Sequence, residues 1–135
     1  MPSDVIQNKL ESLRRCLLRL EQKRPGSSEI LASDYDIQDI ISINLERAIQ
    51  ISVDIAAHIL ADSEQKPPGT MGETFTALSN TGIIKMDLAD RLRRAVGFRN
   101  ISVHEYQRIN WEIVYSIITE NLDDFKEFMK AVQKD

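Results

Sequence analysis

The chain has 135 residues, the size of one ordinary domain, with 42% hydrophobic and 28% charged residues. A chain of this length buries a sizeable core without covalent staples. Its single cysteine, Cys16, excludes an internal disulfide and a cysteine-built zinc site, and the formal net charge of −4 does not mark the chain as a whole for nucleic acid.

The distribution of charge is more informative. Residues 1–24 carry six Lys/Arg against three Asp/Glu, and residues 25–84 carry two against nine. Residues 85–108 carry six against three, and residues 109–135 three against six. If the chain has an RNA site, it belongs near residues 85–108, with the acidic middle facing away from RNA or toward a basic partner. The opening MPSDVIQNKLESLRR carries charges early and has no apolar core of signal-peptide length. No run of about 20 apolar residues occurs, the length needed to span a bilayer. The expectation is a cytoplasmic protein with no membrane partner.

The first predicted helix runs from Ser3 to Gln22. Ile6, Leu10, Leu13, Leu17 and Leu20 recur at steps of four and three and make one apolar stripe. Lys23–Ser28, with Pro25 and Gly26, ends it. A second helix is predicted from Asp36 to Asp62, with Ile37, Ile41, Ala48, Ile51, Ile55 and Ile59 as its stripe. Isoleucine is a modest helix former, so packing must hold this helix. Lys66-Pro67-Pro68-Gly69 reads as a rigid loop. Thr70 with Glu73 forms the capping box of a short third helix, which Gly82 closes.

A fourth helix begins near Asp87. Leu88, Leu92, Ala95 and Val96 point inward, while Arg91 and Arg94 face water. Gly97 inside it costs about 1 kcal/mol relative to alanine, which suggests that another backbone or a ligand comes close. The last helix starts at Asn110 as N-cap. Val114, Ile117, Phe125, Phe128 and Val132 form its stripe, interrupted by Asn121. No segment alternates at period two for long enough to make a strand. The predicted fold is all-α, one domain over residues 1–135: an up-and-down bundle of four main helices plus a short one.

The unusual segment is GFRNISVHEYQRINW, with the pattern R-N-x-x-x-H-x-Y at Arg99, Asn100, His104 and Tyr106. Five residues at 100° each put His104 about 140° round a regular helix from Arg99. Either the helix breaks between them, for which β-branched Ile101 and Val103 are suited, or they meet counterparts from a second chain. The residue types suit RNA cleavage. RNA carries its own nucleophile, the 2′-OH, which must lose a proton while the leaving 5′-oxygen gains one. Histidine does both near neutral pH. Arginine grips two phosphate oxygens and stabilises the charge that develops on them. Asn100 is a supporting residue that hydrogen-bonds a phosphate or orients the histidine. Nothing in this chemistry requires a metal, and no Asp/Glu/His cluster has metal-ligand spacing. An arginine and a histidine near a helix C-terminus also serve as plain dipole partners or carbonyl caps.

The stretch RLRRAVGFRNISVHEYQRINW closely resembles the signature of the HepT-like branch of HEPN proteins, which reads V-G-F-R-N followed by H-x-Y. LERAIQISVDIAAHIL (residues 45–60) resembles the long second helix of that family, and GETFTALSNTGII (residues 72–84) its middle segment. The resemblance implies an all-helical homodimer with both motif copies lining one cleft. It places the catalytic arginine on Arg99 and the catalytic histidine on His104. It implies metal-independent cleavage of RNA (tRNA or mRNA), leaving a 2′,3′-cyclic phosphate, with no cofactor. It further implies a toxin paired with a minimal nucleotidyltransferase antitoxin, which adds AMP to the tyrosine of H-x-Y, here Tyr106. The alternative is a non-catalytic helical subunit that docks on a nucleotidyltransferase and helps bind nucleotide or substrate; the intact motif argues against it.

Arg91, Arg94 and Arg108 are the candidate RNA-binding residues, with Arg93 and Lys85 as further cations near the motif; solvated surface charge accounts for each singly. Trp111 and Tyr115 offer faces for base stacking, with packing as the plainer role. His58 reads as a packing or surface residue, Cys16 as a buried one, and Asp34, Asp36 and Asp39 as acids placed at a helix start.

Overall fold

Seven α-helices and one 3-10 turn follow one another along the described residues, with no strand among them. The structure is a computed structural model that describes residues 3–63 and 68–133. The helices are α1 (Asp4–Lys23), α2 (Ser28–Ser33), α3 (Tyr35–Ala61), α4 (Met71–Asn80) and α5 (Met86–His104). The 3-10 turn (Tyr106–Arg108), α6 (Trp111–Glu120) and α7 (Leu122–Gln133) complete the chain.

Local sequence sets most helix starts. The side chains of Ser3, Ser27, Asp34, Thr70 and Asn110 each accept a hydrogen bond from a backbone N–H in the first turn of the helix that follows, satisfying donors that the helix itself leaves unpaired. The expected capping box is present. Thr70 Oγ1 accepts from the Glu73 N–H at 3.2 Å, while Glu73 Oε2 accepts from the Gly69 N–H at 3.0 Å. Gly82, at φ 87°, closes α4 in the left-handed region that favours glycine. Of the expected loop Lys66-Pro67-Pro68-Gly69, Lys66 and Pro67 lie outside the described residues.

Two elements differ from expectation. The segment after Pro25 contains α2, six residues that seat Leu31 in the core. One buried residue in six gives no period to read. The predicted last helix is two helices, α6 and α7, separated at Asn121. The Asn121 backbone N–H still donates to the Ile117 carbonyl, but its side-chain amide donates to Asp124 Oδ2 at 3.1 Å and starts the next helix.

The α1 stripe becomes core, whereas of the stripe expected on α3 Ile41, Ala48 and Ile55 are buried and Ile37, Ile51 and Ile59 only partly so. All five stripe residues of α1 are buried. α3 is buried on more than one side, with Ile41, Leu45, Ala48, Ile49, Ile55 and Ala56 all inside, so it runs through the centre. α1 and α3 are antiparallel, since Lys9 reaches Asp54 at 3.8 Å and Ser3 lies against His58. α3 and α5 are antiparallel too, because residues 102 and 106 meet residues 46 and 39. Phe75 of α4 and Phe128 of α7, both fully buried, meet edge to face at 6.0 Å, a favoured aromatic geometry. No helix among the described residues is long and apolar enough to cross a membrane.

Arg91 departs from its expected place in water. It is half-buried and fastens α5 to α7. Its guanidinium meets Asp124 at 2.8 Å, Glu127 at 3.3 Å and Asp87 of its own helix at 3.3 Å. Three carboxylates on one guanidinium leave no surplus positive charge there.

Candidate active site

α5 carries the motif, and it stays regular to the end. The Glu105 N–H donates to the Ile101 carbonyl at 2.7 Å, closing the last turn after His104. A helix break between Arg99 and His104, one of the two arrangements open from sequence, is therefore absent. Within one chain the two side chains leave the helix about 140° apart. Arg99 is half-buried and His104 exposed, and neither has a hydrogen bond or ion pair among the described residues.

Asn100 lies four residues before His104 and Gly97 seven before it, so all three share one face of α5. That face borders an open cleft of about 710 Å³ between α5 and the start of α4. Asn100, Gly97, Arg93 and Arg94 line it from α5, and Thr70 and Gly72 from the α4 side. Beyond its own helix backbone, no described residue comes within 4 Å of a Cβ built on Gly97. The close approach expected at this glycine is thus not made by the chain's own backbone; Gly97 keeps the cleft wall open.

Of the other arginines, Arg94 is exposed on the cleft without a partner among the described residues. Arg93 is exposed and lies 3.7 Å from Asp90. Arg108 meets Glu105 at 3.2 Å, an exposed pair of little energetic weight. Lys85 is exposed at the N-cap of α5 and makes no side-chain cap bond.

Tyr106 opens the 3-10 turn just past His104. Its hydroxyl donates to Asp39 Oδ1 at 3.2 Å, and its ring meets Trp111 edge-on at 6.0 Å. Trp111 is half-buried against the core, the plainer of its two expected roles. One turn back from Tyr106, the buried Ser102 hydroxyl donates to Glu46 Oε1. Ser42 lies between Asp39 and Glu46 on α3; its hydroxyl is buried, with no hydrogen bond within normal geometry among the described residues. Partial burial is the largest influence on Tyr106 and raises the phenol pKa; the Ser42 hydroxyl beside it acts the other way, and the Asp39 and Glu46 carboxylates raise it, so the net direction is up. The phenol therefore keeps its proton at neutral pH.

The acidic and hydroxyl face of α3, formed by Asp39, Ser42 and Glu46, was not singled out from sequence; Asp39 was assigned to a helix start. The signal was present. Positions 39, 42 and 46 are three and seven apart, hence on one helical face, in a helix otherwise rich in isoleucine. Tyr115 donates its hydroxyl to the Pro25 carbonyl at 3.1 Å and so braces the turn after α1. His58 sits half-buried 3.4 Å from Ser3 Oγ. Cys16 is buried, which raises its thiol pKa and leaves it inert. Among the described residues, no group of three His, Cys, Asp or Glu is placed to hold a metal.

Residues 4–132 match the family described as "Ribonuclease HepT-like". The mRNA nuclease HepT of Shewanella oneidensis is 34% identical over 131 residues, 97% of this chain and 98% of that one. The tRNA nuclease HepT of Aphanizomenon flos-aquae is 27% identical over 128 residues, 95% of this chain and 87% of that one. Among solved structures, the tri-AMPylated Shewanella oneidensis HEPN toxin in complex with MNT antitoxin superposes with a TM-score of 0.92 at 33% identity. That match covers 99% of this chain and all of the other. By a family match along nearly its whole length, and by a fold shared with a HEPN toxin, this chain belongs to the HepT-like ribonucleases.

Proposed function

We propose that the chain is a metal-independent RNA endonuclease, the toxin of a type II toxin–antitoxin pair in the cytoplasm, neutralised by a nucleotidyltransferase that adds AMP to Tyr106. One observation carries the reading. α5 runs unbroken through the motif, so Arg99 and His104 stand on different faces of one helix, neither with a side-chain partner among the described residues. A second copy of α5 set against the first gives each arginine a histidine from the other subunit.

In that cleft His104 takes the proton of the 2′-OH, or returns one to the leaving 5′-oxygen. Arg99 holds the non-bridging oxygens of the scissile phosphate and stabilises their growing charge. Asn100, on the histidine's face, hydrogen-bonds the same phosphate or orients the imidazole. The 2′-oxygen displaces the 5′-oxygen and leaves a 2′,3′-cyclic phosphate. The RNA backbone continues along the open cleft past Arg94 and Arg93, whose charge suits phosphates. Arg91 contributes to this path only by holding α5 to α7, and Arg108 lies at the rim. The substrate class, tRNA or mRNA, follows from the Aphanizomenon and Shewanella relatives.

Because the nucleophile belongs to the RNA and the acid–base and anion-binding groups to the protein, no step needs a divalent cation. Purified protein incubated with RNA in EDTA is expected to cleave it at the rate seen with Mg²⁺. No cleavage under either condition, with tight binding to the nucleotidyltransferase, would replace this reading with that of a non-catalytic subunit.

A further inference from the structure

We infer that Asp39 is the general base for modification of Tyr106, so that the toxin itself supplies a catalytic group for its own neutralisation. The inference rests on the reading of Tyr106 as the AMP acceptor and adds a mechanism to it. Its basis is the contact between the phenol and α3. The Tyr106 hydroxyl, at the surface, donates its proton to Asp39 Oδ1, 3.2 Å away. Asp39 is exposed and free of any cation among the described residues, so its carboxylate is not neutralised by an ion pair. Tyr106 itself is 42% exposed, enough for a nucleotide to reach its oxygen.

The chemistry needs such a partner. A phenol that keeps its proton at neutral pH is a weak nucleophile, and its neighbours here raise its pKa further. As the phenolic oxygen attacks the α-phosphorus of a nucleoside triphosphate, the Oη–P bond forms and the bond from that phosphorus to the bridging oxygen of the β-phosphate breaks. Pyrophosphate leaves with that bond's electron pair. The phenolic proton passes to the Asp39 carboxylate and from there to water. The hydrogen bond already in place directs the proton to Asp39 and leaves the lone pairs of the phenolic oxygen open to the incoming phosphorus. The buried Ser42 hydroxyl on the same face of α3, without another hydrogen-bond partner among the described residues, favours the phenolic oxygen once its proton has gone. Glu46 is engaged by Ser102 and so is not the base.

The test follows transfer of AMP from ATP to the full chain by its nucleotidyltransferase, read by mass spectrometry of the peptide that contains Tyr106. Asp39→Asn keeps the shape and removes the base. It is expected to slow modification at saturating ATP by about 100-fold or more with little change in the KM for ATP. Asp39→Glu, which restores a carboxylate, is expected to recover much of the rate. A purely structural role would not distinguish charge in this way. Modification of Asp39→Asn at the unaltered rate would overturn the assignment. Failure of the unaltered chain to gain AMP on Tyr106 would overturn the acceptor reading, and the role of Asp39 with it.

Discussion

Replacing His104 with alanine is expected to lower RNA cleavage by about 10²–10⁴-fold, the usual contribution of a positioned acid or base. Growth inhibition in cells should disappear with it. The same substitution is expected to leave the fold untouched. His104 is exposed, sits in the last turn of α5 and makes no hydrogen bond among the described residues. Alanine is at least as good a helix former there. Helix content by circular dichroism and the melting temperature should therefore match the unaltered chain. A variant that still cuts RNA at the original rate would remove histidine from the mechanism.

Phe75→Ala is the opposite kind of change, with its effect on the fold rather than the chemistry. Phe75 has no exposed surface and meets the Phe128 ring edge to face at 6.0 Å. Truncation deletes a large apolar side chain in the middle of a packed cluster, and the surrounding helices refill such a space only in part. The expected loss is about 3–5 kcal/mol of unfolding free energy, measured by urea denaturation. Because α4 also forms one wall of the cleft, cleavage should fall as the folded population falls and recover at lower temperature. A shift below about 1 kcal/mol would mean that this cluster is not the packed centre it is described to be.

Much of the architecture was legible in the residues. The stripes of α1 and α3 have a clear 3.6-residue period, and caps such as Thr70 and Asn110 mark their helix starts by chemistry alone. What escaped were features decided by tertiary partners. α2 exists because the core accepts Leu31, and six residues are too few to show that in advance. The division at Asn121 depends on its amide reaching Asp124, which a continuing apolar stripe conceals. Arg91 reads as a surface cation until α7 brings Asp124 and Glu127 against it. At the site, the motif stood out as residue types, but spacing could not decide between a broken helix and a second subunit. The unbroken α5 removes the first option. The carboxylates beside Tyr106 lie 67 positions or so upstream of it, as the Tyr106–Asp39 pair shows. Only folding brings them together.

Mixing inactive subunits shows whether the Arg99 and His104 side chains meet across two chains. Arg99→Ala and His104→Ala chains, each inactive alone, are to be unfolded together, refolded, and assayed on RNA. If the site is built across two subunits, a mixed pair joins the intact arginine of one chain to the intact histidine of the other. Random pairing then restores roughly a quarter of the original activity per chain, since half of the pairs are mixed and each holds one of two sites. Mixed pairs verified by native mass spectrometry that cut RNA no faster than either parent would contradict the account.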